Sequence, residues 1–514
     1  MHPGEEFILK KSLYYRKMQK KLFLLSFLLL FHLFSTFAYD SPKHEVRAIW
    51  LTTLSRLDWP TTIIRGKYDV ERQKEELIKI LDQYQKANIN TVFFQTRVRA
   101  TTVFPSDATT GNEPWDKAFT DVEGKAPGYD PLAFAIEECH RRGMELHAWI
   151  VTIPVGKWNA NGCRALRKRF PKMVMKIGDE GYMNPADPQT ARYLANYCSG
   201  LARRYDIDGI HLDYIRYPET MKRLPEANSG REKISAIVKA IHDAVRREKG
   251  WVRISCSPIG KHDDTKRFSS GGWNARTRVL QDAKVWLEKG WMDALFPMMY
   301  FKGDHFYPFL VDWSEGHFGR CVTPGLGIYF LHARQKNWSL DDITRQMYVS
   351  RSFGMGFCFF RSKFFTENTK GLYDFVSNVF CTSPALVLPM NNRTKAVPPK
   401  QPTLLNIYFY SGKTHLAWSG AEDNSDGDYL TYNVYSSECY PVDTSNPRNL
   451  LVARLSATTF SFEGNTGSYF AVTAVDRYGE ESTPCQLSPD SSLPYFIIGN
   501  GIYPTFIENL KKEQ

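Results

Sequence analysis

From residue 44 onward, short apolar runs alternate with segments whose apolar residues recur at helical spacing. HEVRAIWLT is the first predicted strand, and Leu77, Ile80, Leu81 and Tyr84 in DVERQKEELIKILDQYQKA mark the helix after it. INTVFFQTRVRA is the second strand. A long loop then leads to the helix DPLAFAIEECHRRG, which opens on Asp-Pro and closes on Gly, as start and stop signals require. ELHAWIVTIP is the third strand, NPADPQTARYLANYCSGLARRY the next helix, and DIDGIHLDYIRYP, Asp206 to Pro218, the fourth strand. VRISCSPIG, MDALFPMMYF, VTPGLGIYF and GMGFCFFRSKFF supply the remaining four strands. Strands alternating with helices pair in parallel. Eight such units predict an α/β fold, a closed (β/α)8 TIM barrel over residues 44–383. An open doubly wound sheet is the alternative, and the lack of a glycine-rich phosphate loop after the first strand counts against it.

The texture changes near residue 383. A Pro-rich, polar linker is predicted over 384–401. Residues 402–490 then offer only short alternating strands, KTHLAWSG, YLTYNVYSS and GSYFAVTAVDRYGEES among them, as a small all-β sandwich does. This region resembles a fibronectin type III domain of the immunoglobulin-like class, with Trp418 a core residue. Residues 491–514 form a tail whose docking the sequence leaves open.

The N-terminal segment MQKKLFLLSFLLLFHLFSTFAYD has a basic start, an apolar run from Leu22 to Phe34 and small residues before Tyr39. It predicts a signal peptide over residues 1–38 cut after Ala38, with Met18 a well-formed alternative start. The run is short for a membrane span, so a cleaved leader and an exported, periplasmic or secreted bacterial protein are expected. Residues 1–38 hold six Lys/Arg and two Asp/Glu, so their removal lowers the formal charge from +11 to +7. That mild basicity, without a Lys/Arg run or a nucleic-acid motif, argues against nucleic acid and leaves anionic envelope polymers as partners. The nine cysteines lack metal-ligand spacing and read as buried thiols, with a bridge between Cys439 and Cys485 the one conceivable disulfide.

Burying an unpaired charge costs several kcal/mol as an order of magnitude, so the acids of the fourth strand need a reason. Alternation along GIHLDYIRYP puts Ile210 and Leu212 on one face and His211 and Asp213 on the other, the barrel lumen. Asp213 is nearer the carboxyl end, where barrel active sites gather. Asp206 and Asp208 sit at the opposite end and read as turn and cap residues. The same alternation aligns Gln95 with Arg97, His147 with Trp149 and Tyr300 with Lys302, so polar and aromatic groups converge on one mouth. The long second loop belongs to that face, and its Trp115 offers a ring to stack on a sugar.

These stretches, VRAIWLT, FFQTRVRATTVFPSDATTGNEPW, DPLAFAIEECHRRGMELHAWI, YMNPADP and above all DGIHLDYIRYP, resemble the glycosyl hydrolase-like 10 family of exported bacterial proteins. The resemblance spans residues 45–380. It implies a barrel of glycoside hydrolase type acting on bacterial cell-wall glycan, including peptidoglycan strands stripped of their peptides. Some members carry a second acid directly after the strand-four aspartate, where this chain has Tyr214.

Glycoside hydrolysis ordinarily uses two carboxyl groups, one protonating the leaving oxygen and one stabilising or attacking the oxocarbenium-like centre. Asp213 is assigned the second role, kept ionised by Arg216 and His211. The fifth strand ends in SCSPIGKHDD without a glutamate, so the acid is sought in Asp304 after strand six and in Glu113 or Asp107 of the second loop. Gln95, Arg97, Asp107, Trp115, His147, Trp149, His211, Tyr214, Arg216, Tyr300 and Lys302 complete the expected substrate contacts. A metal-dependent amidohydrolase would want His-x-His ending strand one, where RAIWLTT has none, and a polysaccharide deacetylase lacks ligands in the same way. The sequence calls for no metal and no cofactor. A glycan-binding barrel that has lost its acid is the non-enzymatic alternative.

Overall fold

A computed structural model of the chain describes residues 41–390, 397–463, 469–487 and 496–497; the predicted leader and all but two residues of the tail lie outside these. The chain runs through β1 (Arg47–Leu51), α1 (Lys67–Lys86), β2 (Thr91–Arg97), α2 (Pro131–Arg141) and β3 (Glu145–Val151). An insertion follows, made of β4 (Pro154–Lys157), α3 (Asn161–Arg169), β5 (Val174–Ile177) and β6 (Glu180–Met183). Then come α4 (Pro188–Arg204), β7 (Gly209–Asp213), α5 (Ala227–Glu248), β8 (Arg253–Ser257), α6 (Ala283–Glu288), β9 (Ala294–Leu295) and α7 (Tyr307–Glu315). The first region ends with β10 (Cys321–Val322), β11 (Gly325–Leu326), α8 (Leu340–Ser352), β12 (Phe357–Phe359) and α9 (Leu372–Phe375).

Nine of these strands form one sheet in the order β10-β9-β8-β7-β3-β2-β1-β12-β11, with every neighbouring pair parallel. Its two ends are halves of one stretch, parted by Thr323 and Pro324, where proline supplies no N–H to a ladder. The Thr323 N–H donates to the Leu295 carbonyl at 2.9 Å, and the Pro324 carbonyl accepts from the Cys358 N–H at 3.0 Å. The sheet therefore curls until that stretch is bonded on both sides, and the nine segments act as eight barrel strands.

The helices form where the sequence signals them. Asp130 caps α2 by accepting from the Leu132 and Ala133 N–H groups, with Pro131 as first helical residue. The α1 stripe buries Leu77, Leu81 and Tyr84 against the outer wall. Ile210 and Leu212 join that helix-facing core. The lumen holds a second cluster of Trp50, Phe93, Trp149, Ala294, Phe296 and Cys358.

Beyond residue 397 the described chain is all-β. β13 (Thr403–Tyr410), β14 (Lys413–Ser419), β15 (Thr431–Ser437), β16 (Leu450–Leu455), β17 (Thr459–Glu463), β18 (Tyr469–Val475), β19 (Cys485–Gln486) and β20 (Phe496–Ile497) make two sheets, β17-β14-β13-β20 and β16-β15-β18-β19. Leu416 and Trp418 of one sheet pack with Tyr432, Val434 and Val472 of the other. The predicted linker is not all free chain: Ala385, Leu386 and Met390 are buried, and the Leu386 backbone bonds to Lys43 and Glu45. Cys439 and Cys485 are free thiols, so no bridge joins them. Among the described residues no helix is long and apolar enough to cross a membrane.

The amino-terminal end of the barrel meets the second region through charges. Arg454 lies at a left-handed φ of 57° and sends its guanidinium to Glu145 Oε1 at 3.0 Å and Asp208 Oδ1 at 2.9 Å. Asp208 also holds His140 Nε2 at 2.7 Å and accepts from the Leu146 N–H at 2.9 Å. Asp206 accepts from the Tyr429 hydroxyl at 2.7 Å and pairs with Arg477 at 2.9 Å. The two acids expected to be turn and cap residues are thus acceptors of an interface with residues more than 200 positions away.

Candidate functional site

The lumen is layered, and height within it separates structural from reactive groups. His211 is fully buried and stacks on Phe93 with ring centroids 4.1 Å apart. Its Nε2 lies 3.1 Å from Trp50 Nε1, which can only donate, so Nε2 accepts and Nδ1 carries the hydrogen toward Ser255 Oγ at 2.9 Å. Burial, helped by His147, pushes the imidazole pKa well below its ordinary value. The expectation that His211 would lend Asp213 a positive charge is corrected: this ring is neutral and belongs to the floor.

Asp213, the last residue of β7, stands one step higher and is half-buried. One carboxylate oxygen accepts from Trp149 Nε1 at 3.1 Å and the other from Ser257 Oγ at 3.0 Å. Both donors are neutral and come from the flanking strands, where Val151 and Ser257 align with Asp213 across the sheet. Each oxygen keeps a free acceptor direction. The Asp213 carbonyl is held by the Thr152 N–H at 3.0 Å and hydroxyl at 2.8 Å.

The chain then turns through Tyr214 at φ 58°, an uncommon conformation for a residue with a side chain. Its phenol donates to Glu219, and the Arg216 guanidinium lies 3.6 Å over its ring. Arg216 faces Glu219 Oε2 at 3.8 Å and makes no ion pair with Asp213 among the described residues, so its expected role toward Asp213 is also corrected. Tyr300, half-buried, approaches Phe360 at 5.5 Å and Tyr329 at 5.8 Å to make an aromatic flank at strands six to eight. Burial, with Cys358 and Asp213 adding, keeps the Tyr300 phenol well above its ordinary pKa and therefore protonated.

Other expected residues are placed elsewhere. Arg97 is fully buried and grips Glu113 through Nε at 2.8 and 2.9 Å and Nη2 at 2.7 Å, while Tyr193 donates to the same carboxylate at 2.7 Å. Both members are spent on anchoring the second loop, with Glu113 held as a buried ion pair. Asp107 bonds Thr109 and Thr110 within a turn and pairs with Arg204 at 3.2 Å. The Thr109 hydroxyl, with Thr110 and Arg204 behind it, draws its pKa down to about 2. Arg204 ends α4 just before β7 begins, so Asp107 belongs to the far end of the barrel. His147 sits low, 3.1 Å from Glu145. Gln95 Oε1 accepts from the Thr52 hydroxyl at 2.6 Å and the Thr53 and Leu54 N–H groups at 3.0 and 2.9 Å, fixing the turn after β1. Lys302 is exposed and binds Asp342 at 3.0 Å. Trp115 is half-buried and bridges Thr102 beside the end of β2. Asp304 is exposed after strand six.

Ser257 and Glu219 escaped the sequence reading. Register could have found Ser257, since strands four and five align residue for residue. Glu219 lies only six positions past Asp213, in IRYPET. Among the described residues no three His, Cys, Asp or Glu side chains converge as a metal-binding group.

Comparison with known proteins bears on the kind of function rather than on single residues. The family model described as Glycosyl hydrolase-like 10 matches residues 45–229, a stretch that takes in barrel strands one to four and Asp213. A Bacillus subtilis (strain 168) protein named glycosyl hydrolase YngK is 27% identical over 404 residues, covering 71% of this chain and 77% of its own length. Glycosyl hydrolase DigH of Escherichia coli (strain K12) is 28% identical over 293 residues, 50% of this chain and 66% of that protein. Among solved structures, an endo-beta-1,4-mannanase from Thermotoga petrophila aligns with a TM-score of 0.40 at 10% identity, over 87% of this chain and 97% of the other. The sequence matches support a function of glycoside hydrolase type.

Proposed function

We propose that this chain is an exported hydrolase of O-glycosidic bonds in a polysaccharide, with Asp213 as the carboxylate that stabilises or attacks the developing oxocarbenium centre. The observation that carries this is the setting of Asp213: a half-buried carboxylate at the carboxyl end of a barrel strand, oriented by two neutral donors and paired with no cation among the described residues. An ion pair would spend its charge before the transition state forms, whereas neutral donors leave it to act on the sugar. The aromatic flank of Tyr300, Tyr329 and Phe360 suits the apolar face of a sugar ring. The proton donor is sought in Glu219 and Asp304, carboxylates that follow strands four and six. The sequence resemblance to the glycosyl hydrolase-like 10 family makes bacterial envelope glycan the substrate class to test first, and residues 402–490 serve as a fibronectin type III-like spacer.

Reducing-end release from purified glycans tests the proposal: Asp213→Asn should lose it while the protein still binds. Undiminished hydrolysis in that variant would remove Asp213 from the mechanism. Glycan binding without cleavage is the second reading. It is favoured by Glu113 being locked to Arg97, Asp304 standing open to water and Glu219 being engaged by the Tyr214 hydroxyl. Binding by the unsubstituted protein with no release from any glycan would establish it.

A further inference from the structure

The insertion between β3 and α4 carries a charge pattern that the catalytic reading does not use. From Asn161 to Gly178 the chain has Arg164, Arg167, Lys168, Arg169, Lys172 and Lys176 and no Asp or Glu. The two carboxylates that follow are taken: Asp179 and Glu180 lie 2.7 and 3.4 Å from Lys157, and Arg99 is 3.8 Å from Glu180. Glu123 of the second loop is spent on the start of α3, accepting from the Gly162 N–H at 2.7 Å. None of the six cations makes an ion pair among the described residues, and all but the half-buried Arg167 are exposed. Six like charges on so small a unit repel one another, a cost that an anionic partner would offset.

Two further observations tie this face to a glycan. The half-buried Trp158 ring has the Arg167 guanidinium 3.9 Å from its centre and the Lys176 ammonium at 5.6 Å. With the guanidinium stacked on one face, the indole sets aromatic surface and positive charge side by side, which suits sugars that carry charged substituents. The root of the insertion is also bonded to the catalytic strand, since Thr152 holds the Asp213 carbonyl.

We infer that the β4–β6 insertion is a binding surface for a polysaccharide whose sugars carry carboxylates, held beside the mouth through Trp158, Arg167, Lys168, Lys172 and Lys176. The inference rests on the hydrolase reading only for the glycan; its charge preference stands alone. The test uses the full chain with Asp213→Asn, so that binding is read without cleavage, and polygalacturonate against its carboxyl-reduced form as probes in calorimetric titrations at low and high salt. The acidic polymer should bind roughly tenfold tighter at low salt, and the preference should shrink as salt screens it. Adding Arg167→Gln, Lys168→Gln, Lys172→Gln and Lys176→Gln should abolish the preference. Lys168→Gln with Lys172→Gln alone, which removes two charges of little contact, should lower it in part and serves if the fourfold variant fails to fold. Equal binding of the two polymers, a preference that survives the substitutions, or tighter capture by phosphatidylglycerol vesicles than by polygalacturonate would overturn the inference. Failure of the hydrolase reading would look different: binding preserved, with no reducing ends released by the unsubstituted chain.

Discussion

Replacing Arg454 by Met should destabilise the protein by about 3 kcal/mol, because it withdraws one cation from two buried carboxylates. The Arg454 side chain is only 12% exposed, and Glu145 and Asp208 are 4% and 5% exposed. Breaking a buried pair by removing one partner ordinarily costs ~3–5 kcal/mol, and the lower end applies here for a structural reason. Glu145 retains Arg253 at 3.7 Å and His147 at 3.1 Å, while Asp208 retains His140 at 2.7 Å and Arg477 at 3.7 Å. Met keeps the bulk of the side chain, so the loss is electrostatic rather than a cavity. The assay is urea unfolding followed by tryptophan fluorescence at pH 7, with Lys400→Met as control, since Lys400 and Glu422 form an exposed pair worth under about 1 kcal/mol. Asp208→Asn with Arg454→Met closes a double-mutant cycle whose coupling should exceed about 0.5 kcal/mol. The pH dependence has a fixed sign. Burial alone would raise the Asp208 pKa, but His140, then Arg454 and Arg477, overcome it and hold the carboxyl well below its ordinary value. Stability from a depressed carboxyl is present above its unfolded pKa and is lost as pH falls through the folded one. The unsubstituted interface should therefore survive mild acid, and Arg454→Met should lose stability at a higher pH. A change below about 1 kcal/mol, or no coupling to Asp208, would refute this account and make Arg454 a surface contact.

Three further outcomes follow from the barrel. Trp149→Phe removes one donor from a charged acceptor, a contact worth roughly 1.5–3 kcal/mol, so glycan hydrolysis should slow by about 10- to 100-fold, with Ser257→Ala acting in the same direction. Glu113→Gln strips the fully buried Arg97 of its partner and should cost ~3 kcal/mol in urea unfolding while turnover per folded molecule holds; loss of turnover with stability intact would restore Glu113 as the acid. His211 is neutral in the fold and its pKa lies well below that of the unfolded chain, so stability should decline as pH drops below about 6.5, a decline that His211→Gln reduces in pH-dependent melting.

The eight strand-and-helix units were legible because the two periodicities are local, and parity along IHLD correctly put His211 and Asp213 on one face. What parity does not give is height. His211 and Asp213 are two residues apart, yet one reaches Trp50, Phe93 and Ser255 in a closed layer and the other emerges where the lumen opens. The same limit explains Glu145 and His147, which alternation counts with Trp149 although they line the opposite end. Long-range partners were equally hidden: Asp208 looks like a cap until Arg454 arrives from 246 positions away, and Asp107 looks like part of the mouth until the second loop folds back onto α4, where Thr109 lies against Gly200. A polar lumen residue is therefore structural or reactive according to whether its own layer satisfies it. At His211 the Trp50 N–H and the Ser255 hydroxyl satisfy both ring nitrogens; at Asp213 two neutral donors orient the carboxylate and leave acceptor directions free for a substrate.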